Sequence, residues 1–552
     1  MRIRRAVMAV AALLSAMAWG APARAGAPDP ERQIVVYKDA AKARKAVEEL
    51  GGRVIRELTA LNALAVKLPA SARAKLAANA AVELVEGDAP RYPFAVRAPS
   101  PTGGQRRPWG VDAVKADTFN DVPGVKVCII DSGYHRPHED LQTKYVTSSS
   151  DPGTGDPFHD GCGHGTHVAG TISALDNAIG VVGVNGAGDQ PLHIVKVFGD
   201  DCAYAYSSDL AAAVGKCIDE GKARIISMSL GGGTPTQTEK KAFDQALEKN
   251  VLSIAAAGND GNAKKSYPAG YDSVMSVAAV DSALDHADFS QFNDDVEIAG
   301  PGVAVRSTYP KSRGTEVQLY NVVDAYHFEG APFVGSGEGD VTAPLYRCKA
   351  VDGLGSEGDC QGAIGKICLI ERGTNTFAQK VVECQRRGGA AAVIFNSSDA
   401  MFTGTVDGQG ATIKIPAVST SGVDGTSMEQ VLEGFDFQVV VKDNGNYEFL
   451  DGTSMATPHV SGVAAAVWGH DPTCKARDIR ALLDFTAHDV DVPGRDANTG
   501  YGLVDYEAAL EKLDCDGFQE VCTLHQKGQS CTSMSDCCSG VCQSKGGQKV
   551  CK

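Results

Sequence analysis

Leu450-Asp-Gly-Thr-Ser-Met-Ala-Thr-Pro-His-Val460 carries a glycine and a serine at a tight turn straight into an apolar run of small residues, Ala456 to Val467. A serine at a helix N-terminus has its oxygen exposed, backbone N–H groups beside it and the positive end of the helix dipole, which favours a developing oxyanion. Pro458 suits a first helical turn, where its missing N–H is no loss. The plainer reading is that Thr453 and Ser454 only cap the helix. The chain holds its own control, because Gly425-Thr-Ser-Met428 repeats the four letters but continues into Glu429 and Gln430, a polar helix start that Ser427 is expected to cap. Ser454 therefore needs partners from elsewhere in the chain.

Working outward, Trp109 to Thr308 alternates short apolar runs with helices. The runs lie at 125–130, 192–198, 225–230, 251–256 and 274–280, with helices expected at 164–173, 207–220 and 239–249. Runs apolar on both faces are parallel strands covered on both sides. The expected fold class is α/β, a mainly parallel, doubly wound open sheet whose ligands bind beyond the carboxyl ends of the strands. Polar residues sit at those ends. Asp131 follows Ile129-Ile130, where a partly desolvated carboxylate can hold an imidazole. His164 opens a helix in Gly163-His-Gly-Thr-His-Val-Ala-Gly170, and Asn259 follows Ala256-Ala-Gly258. Singly these read as a cap, a turn residue and a loop residue. With Ser454 they supply nucleophile, base, orienting acid and oxyanion donor, the set that acyl transfer requires.

Asp131-Ser-Gly, His164-Gly-Thr-His-Val-Ala-Gly and Gly452-Thr-Ser-Met-Ala-Thr-Pro-His-Val closely resemble the three motifs of the subtilisin family of serine proteases, in that family's order of Asp, His and Ser. The resemblance covers roughly 105–308 and 447–509. It implies that Ser454 attacks the scissile carbonyl, that His164 moves the proton, that Asp131 fixes the imidazole, and that the Asn259 amide and the Ser454 N–H bind the oxyanion. It also implies that Ser229, Leu230 and Gly231 form the strand beside which a peptide lies, and that Ala256, Ala257, Gly258 and Ser266 line the primary specificity pocket. By the same likeness, structural calcium is expected at Gln105, Asp140, Leu175, Asn177, Ile179 and Val181, an oxygen set that suits Ca²⁺. The plainer reading of that loop is a solvated Asn/Asp turn. His164 and His167 as a zinc pair are not expected, since no further ligand spacing accompanies them.

Met1-Arg-Ile-Arg-Arg5, the apolar run to Ala18 and Ala23-Arg-Ala25 read as a secretory signal over 1–25. Sixteen Cys, all at or after Cys128, place the rest in an oxidising compartment outside the cell. A net charge of -16 argues against nucleic acid or an anionic membrane as partner. Residues 33–88, without Cys, follow a β-α-β-β-α-β order with helices at 40–50 and 71–80. Such a module fits a removable propeptide over 26–94 better than an ordinary N-terminal domain, the plainer reading; the family likeness implies an inhibitory propeptide that aids folding, cut near Phe94 and Ala95. The catalytic unit is then 95–310 plus 447–515.

Between its two parts lie about 135 residues, 311–446, where Gly365 to Gly373, Phe377 to Cys384, Gly388 to Asn396 and Ile415 to Val418 resemble a protease-associated (PA) domain. The tail 516–552 resembles a cystine knot, which implies Cys522 with Cys538, Cys531 with Cys542 and Cys537 with Cys551. Elsewhere we expect Cys348 with Cys360, Cys368 with Cys384, Cys474 with Cys515, Cys128 with Cys217 and Cys162 with Cys202. The functional expectation is a secreted, monomeric endopeptidase made as a zymogen and acting on polypeptides. The competing reading is an idle binding or adhesion protein on the same scaffold, which need not keep all of Asp131, His164, Asn259 and Ser454.

Overall fold

The computed structural model describes residues 29, 31–93, 96–98, 100–101, 105–116, 122–323, 326–349, 351–406, 412–515, 542–545 and 548–551. The expected signal region, 1–25, and the expected cleavage point at Phe94 and Ala95 lie outside the described residues.

Seven strands form the central sheet in the order Val296–Pro301, Val274–Val280, Leu252–Ala256, Ile225–Met228, Val127–Asp131, Leu192–Lys196, Val146–Ser149, and every adjacent pair is parallel. The α/β expectation therefore holds. The apolar runs are sided as covered strands must be. Val127 and Ile129 pack into one core with Ile172, Val460 and Val463, while Cys128 and Ile130 pack into a second with Leu210, Val214 and Phe243. Helices His164–Ser173 and Thr453–His470 thus lie against one face, and Ser207–Asp219 and Gln237–Glu248 against the other. Val127–Asp131 is the first strand of the sheet in sequence and sits inside it, so the winding reverses there and Asp131 ends at the switch point.

The five expected strands and three expected helices form, with ends shifted by two residues or fewer. Two strands were not expected. Val146–Ser149 is polar at three of its four positions, and Val296–Pro301 contains Glu297, which is buried because Arg480 forms a forked ion pair with it.

Residues 32–87 form a four-stranded antiparallel sheet, ordered Arg53–Leu58, Ala63–Lys67, Arg32–Tyr37, Val82–Gly87. Its first helix is Ala40–Glu49, whereas the expected second helix is a 3₁₀ turn, Ala70–Ala72, running into the shorter Arg73–Ala77. This unit docks on two helix starts. Glu86 accepts from the N–H groups of Gln237 (2.7 Å) and Thr238 (2.8 Å), and Asp88 accepts from Ser208 N–H (2.9 Å). Carboxylates are favoured there because the first N–H groups of a helix have no internal partner.

The 311–446 region has its own mixed sheet and cores, with helices Phe377–Arg386 and Gly422–Val431. Gly425-Thr-Ser-Met428 lies inside the latter helix, and its cap is Ser421, which accepts from Asp424 N–H; Ser427 is not the cap. A glycine is needed at 425 because a Cβ there would come 2.0 Å from that of Phe395. The inserted region reaches the serine turn, since the Thr403 hydroxyl donates to Asp451 and Met401 N–H donates to Ser282 Oγ at 2.9 Å.

All five disulfides expected outside the tail are present: Cys128–Cys217, Cys162–Cys202, Cys348–Cys360, Cys368–Cys384 and Cys474–Cys515. Cys522, Cys531, Cys537 and Cys538 lie outside the described residues. Of the tail, an antiparallel hairpin sets Cys542 opposite Cys551.

Candidate active site

Asp131 is the last residue of its strand and fully buried; His164 is the first residue of its helix and 5% exposed. His164 Nδ1 and Asp131 Oδ1 are 2.8 Å apart, and Ser132 N–H donates to the same oxygen at 2.7 Å. The carboxylate therefore fixes both the plane of the imidazole and the nitrogen that carries its proton. Gly165 admits this approach, because a Cβ there would lie 2.3 Å from the Gly133 carbonyl.

Ser454 is the second residue of Thr453–His470, whose residues Thr453 to Gly469 are all buried. Gly452 precedes it at φ 153°, ψ 156° and supplies the turn. Pro458 is the sixth residue of that helix and not part of its first turn, so the Ser454 carbonyl has no N–H at the proline to accept from. Ser229 replaces that donor. Its Oγ donates to the Ser454 carbonyl at 2.6 Å, and Ser454 Oγ donates to the Ser229 carbonyl at 2.8 Å.

Asn259 Oδ1 accepts from Thr453 N–H (2.9 Å) and Thr453 Oγ1 (2.7 Å). These two bonds fix the Asn259 amide against the start of the helix that carries Ser454. The sequence reads Thr453 only as a helix cap; its pairing with Asn259 shows only once the two loops meet. Leu230–Gly231 forms a short strand next to Pro90–Pro93, with Leu230 opposite Pro93 and Gly231 opposite Tyr92. Ala256 and Ala257 are buried at the end of the adjacent strand. Gly258 takes φ +112°, and a Cβ there would sit 1.7 Å from Gln291 Oε1 and 3.3 Å from Ser266 Cβ. Ser266 Oγ is buried and makes no hydrogen bond among the described residues.

His167 Nε2 lies 3.0 Å and 3.1 Å from the carbonyls of Val305 and Glu448. At the expected calcium loop, Asp140 is fully buried and burial pushes its carboxyl up to about 7. Its Oδ2 accepts from Val181 N–H at 2.8 Å, whereas Oδ1 has no hydrogen-bond partner among the described residues. The Gln105 amide reaches the carbonyls of Leu175 (2.6 Å) and Val181 (3.3 Å). Asn177 Oδ1 accepts from Ile179 N–H at 3.0 Å. A buried carboxylate oxygen without a donor, among carbonyls and side-chain amides, fits a hard divalent cation.

A buried Asp–His pair, a serine at a helix start and an asparagine bonded to that helix start are the elements of a serine peptidase site. The chain belongs to the subtilase family, whose profile matches residues 123–324 and 389–502. A PA domain profile matches 341–428 and a fervidolysin N-terminal prodomain profile matches 31–86. Subtilisin NAT of Bacillus subtilis subsp. natto is 34% identical over 290 residues, 50% of this chain and 72% of that protein. Subtilisin BL of Lederbergia lenta is 41% identical over 214 residues, 38% of this chain and 76% of its own. Among solved structures, the psychrophilic subtilisin-like protease Apa1 from the Antarctic psychrotroph Pseudoalteromonas sp. AS-11 superposes with a TM-score of 0.70 at 39% identity, over 76% of this chain and 99% of that one. Fervidolysin from Fervidobacterium pennivorans, a keratinolytic enzyme related to subtilisin, shares the fold with a TM-score of 0.56 at 24% identity, over 87% of this chain and 61% of that one. The protein is a subtilisin-like serine endopeptidase. Among the described residues no helix is long and apolar enough to cross a membrane.

Proposed function

We propose that this endopeptidase is a secreted monomer made as a self-cleaving zymogen: 1–25 directs export, 26–94 is propeptide, 95–310 with 447–515 is the catalytic unit, 311–446 shapes access to the cleft, and 516–552 is a knot-like appendage. Ser454 Oγ attacks the scissile carbonyl as His164 Nε2 takes its proton. The C–N bond then breaks, His164 returns the proton to the leaving amine, and an acyl-Ser454 ester remains for water to hydrolyse by the same relay. Asp131 stabilises the imidazolium through Nδ1–H, and Asn259 Nδ2 and Ser454 N–H take the oxyanion.

The observation that carries the zymogen reading is the antiparallel pairing of Pro90–Pro93 with Leu230–Gly231. The chain lays its own backbone where a substrate would add a strand, with Phe94 next in line. On the far side of that bond Val96–Ala98 pairs with Phe449–Asp451, beside the serine turn. Ala256, Ala257, Gly258 and Ser266 then receive the side chain before the cut. Gln105, Asp140 and Asn177 with the carbonyls of Leu175, Ile179 and Val181 hold a structural Ca²⁺, which when bound offsets the buried Asp140 charge and stabilises the fold.

Expression of Ser454→Ala tests this. The variant is expected to keep residues 26–94 covalently attached and to leave casein intact. A variant that matures and clears casein like the parent removes the proposal.

A further inference from the structure

Pro90–Pro93 sends one charged side chain into the protein. Arg91 is fully buried, and so is Glu239, the residue it meets. Arg91 Nε donates to Glu239 Oε1 at 2.8 Å and Nη2 donates to Oε2, a forked pair; Nη2 also donates to the Thr234 carbonyl at 3.1 Å. Burial opposes the charge on Arg91, but Glu239 and Tyr271 outweigh it and hold the guanidinium more firmly protonated than usual.

The receiving side is built from the catalytic unit alone. Glu239 is the third residue of Gln237–Glu248, and Tyr271 donates its hydroxyl to Glu239 Oε2 at 2.7 Å, aiming the carboxylate. Gly232 leaves the entrance open: a Cβ there would lie 2.5 Å from the Pro90 carbonyl and 3.3 Å from Arg91 Nη1. When the propeptide leaves, Arg91 leaves with it, and a carboxylate inside the protein loses the cation that compensated it. Such a charge is costly until another cation of the same shape arrives. The register fixes where on a substrate that cation must be. Pro93 lies opposite Leu230, so Arg91 stands three residues before Phe94.

We propose that Glu239 is a specificity-determining residue, selecting polypeptides that carry arginine at the fourth position before the cleaved bond. This rests on the protease reading above and on the cut falling after Phe94. Arginine is preferred to lysine because only a guanidinium matches both carboxylate oxygens while also reaching the Thr234 carbonyl.

The test uses the processed enzyme and four p-nitroanilide peptides, Xaa-Tyr-Pro-Phe, with Xaa as Arg, Lys, Leu or Glu. The Arg peptide is expected to exceed the Leu peptide in kcat/KM by at least about 30-fold, the low end of the effect of unpairing a buried charge, with Lys between them and Glu last. Glu239→Gln is expected to bring the Arg and Leu peptides within about threefold of each other. Because that change also unpairs Arg91 in the precursor, Glu239→Leu is made together with Arg91→Leu, which matches the two sides again and is expected to favour the Leu peptide. An Arg-to-Leu ratio near one in the parent enzyme, or an unchanged ratio in Glu239→Gln, overturns the inference while leaving the protease reading intact. Failure of the parent to cut any of the four removes both.

Discussion

Ser229 and Ser454 exchange hydrogen bonds, each hydroxyl donating to the other's carbonyl, at 2.6 and 2.8 Å. The exchange exists because Pro458 deprives the Ser454 carbonyl of its donor four residues on. Ser229→Ala leaves that buried carbonyl unpaired, a loss of about 1–3 kcal/mol. The expected result is a thermal midpoint lower by several degrees and a fall in kcat larger than the change in KM, read by calorimetry and by hydrolysis of a small peptide amide. An unchanged midpoint would show that water replaces Ser229.

Asn259 is locked by Thr453 with its acceptor oxygen turned inward. Asn259→Ala is expected to reduce kcat by about 10²–10³ with little change in KM, the signature of a donor that acts on the transition state. Thr453→Val, which removes the hydroxyl lock but not the amide, is expected to give a smaller fall in the same parameter. Equal losses in kcat and substrate affinity would place Asn259 in ground-state binding instead.

Removal of divalent cations by EGTA is expected to lower the thermal midpoint of the full chain, and added Ca²⁺ to restore it, because an ion bound only by the folded state stabilises it by about 2.7 kcal/mol at a hundredfold excess over Kd. In Asp140→Asn the midpoint is expected to be insensitive to both. Calorimetry on the Ser454→Ala background avoids self-digestion. A parent protein indifferent to EGTA would argue against the site.

His167 and His459 are fully buried, and burial pushes their imidazoles down to about 3 and about 4. Their unfolded values lie near 6.5. Between those limits the unfolded chain binds protons that the folded chain does not, so stability is full above about pH 6.5 and declines as pH falls, by about 1.4 kcal/mol per pH unit for each ring. His167→Gln keeps a donor for the Val305 and Glu448 carbonyls and is expected to reduce the slope of unfolding free energy against pH by about one proton. An unaltered slope would contradict the buried, neutral assignment.

The strands that carry Asp131 and Asn259 were legible in the sequence because both faces of each are apolar, and a covered parallel strand has no other way to be written. Glu297 hid its strand, since the Arg480 that neutralises it is far away in sequence. Ser427 was misassigned for a related reason: a helix start is set by which N–H groups lack partners, and Ser421, outside the repeated letters, meets them. The Ser229–Ser454 exchange was latent in Pro458, whose missing N–H announces an unpaired carbonyl four residues back, but only tertiary structure says who answers it. Glu239 had no local signal at all, because a glutamate in the first turn of a helix ordinarily faces water.

Glu86 and Asp88 give two helices of the catalytic unit their first-turn carboxylates from a segment that, on the proposed reading, is discarded. The path into the fold and the path out of it are then different. A precursor forms those helix starts against ready-made anions, whereas a processed chain that has opened must remake them against solvent. What such an enzyme has after processing is a lifetime and not a balance: its endurance is governed by how seldom it opens, and each opening is close to final.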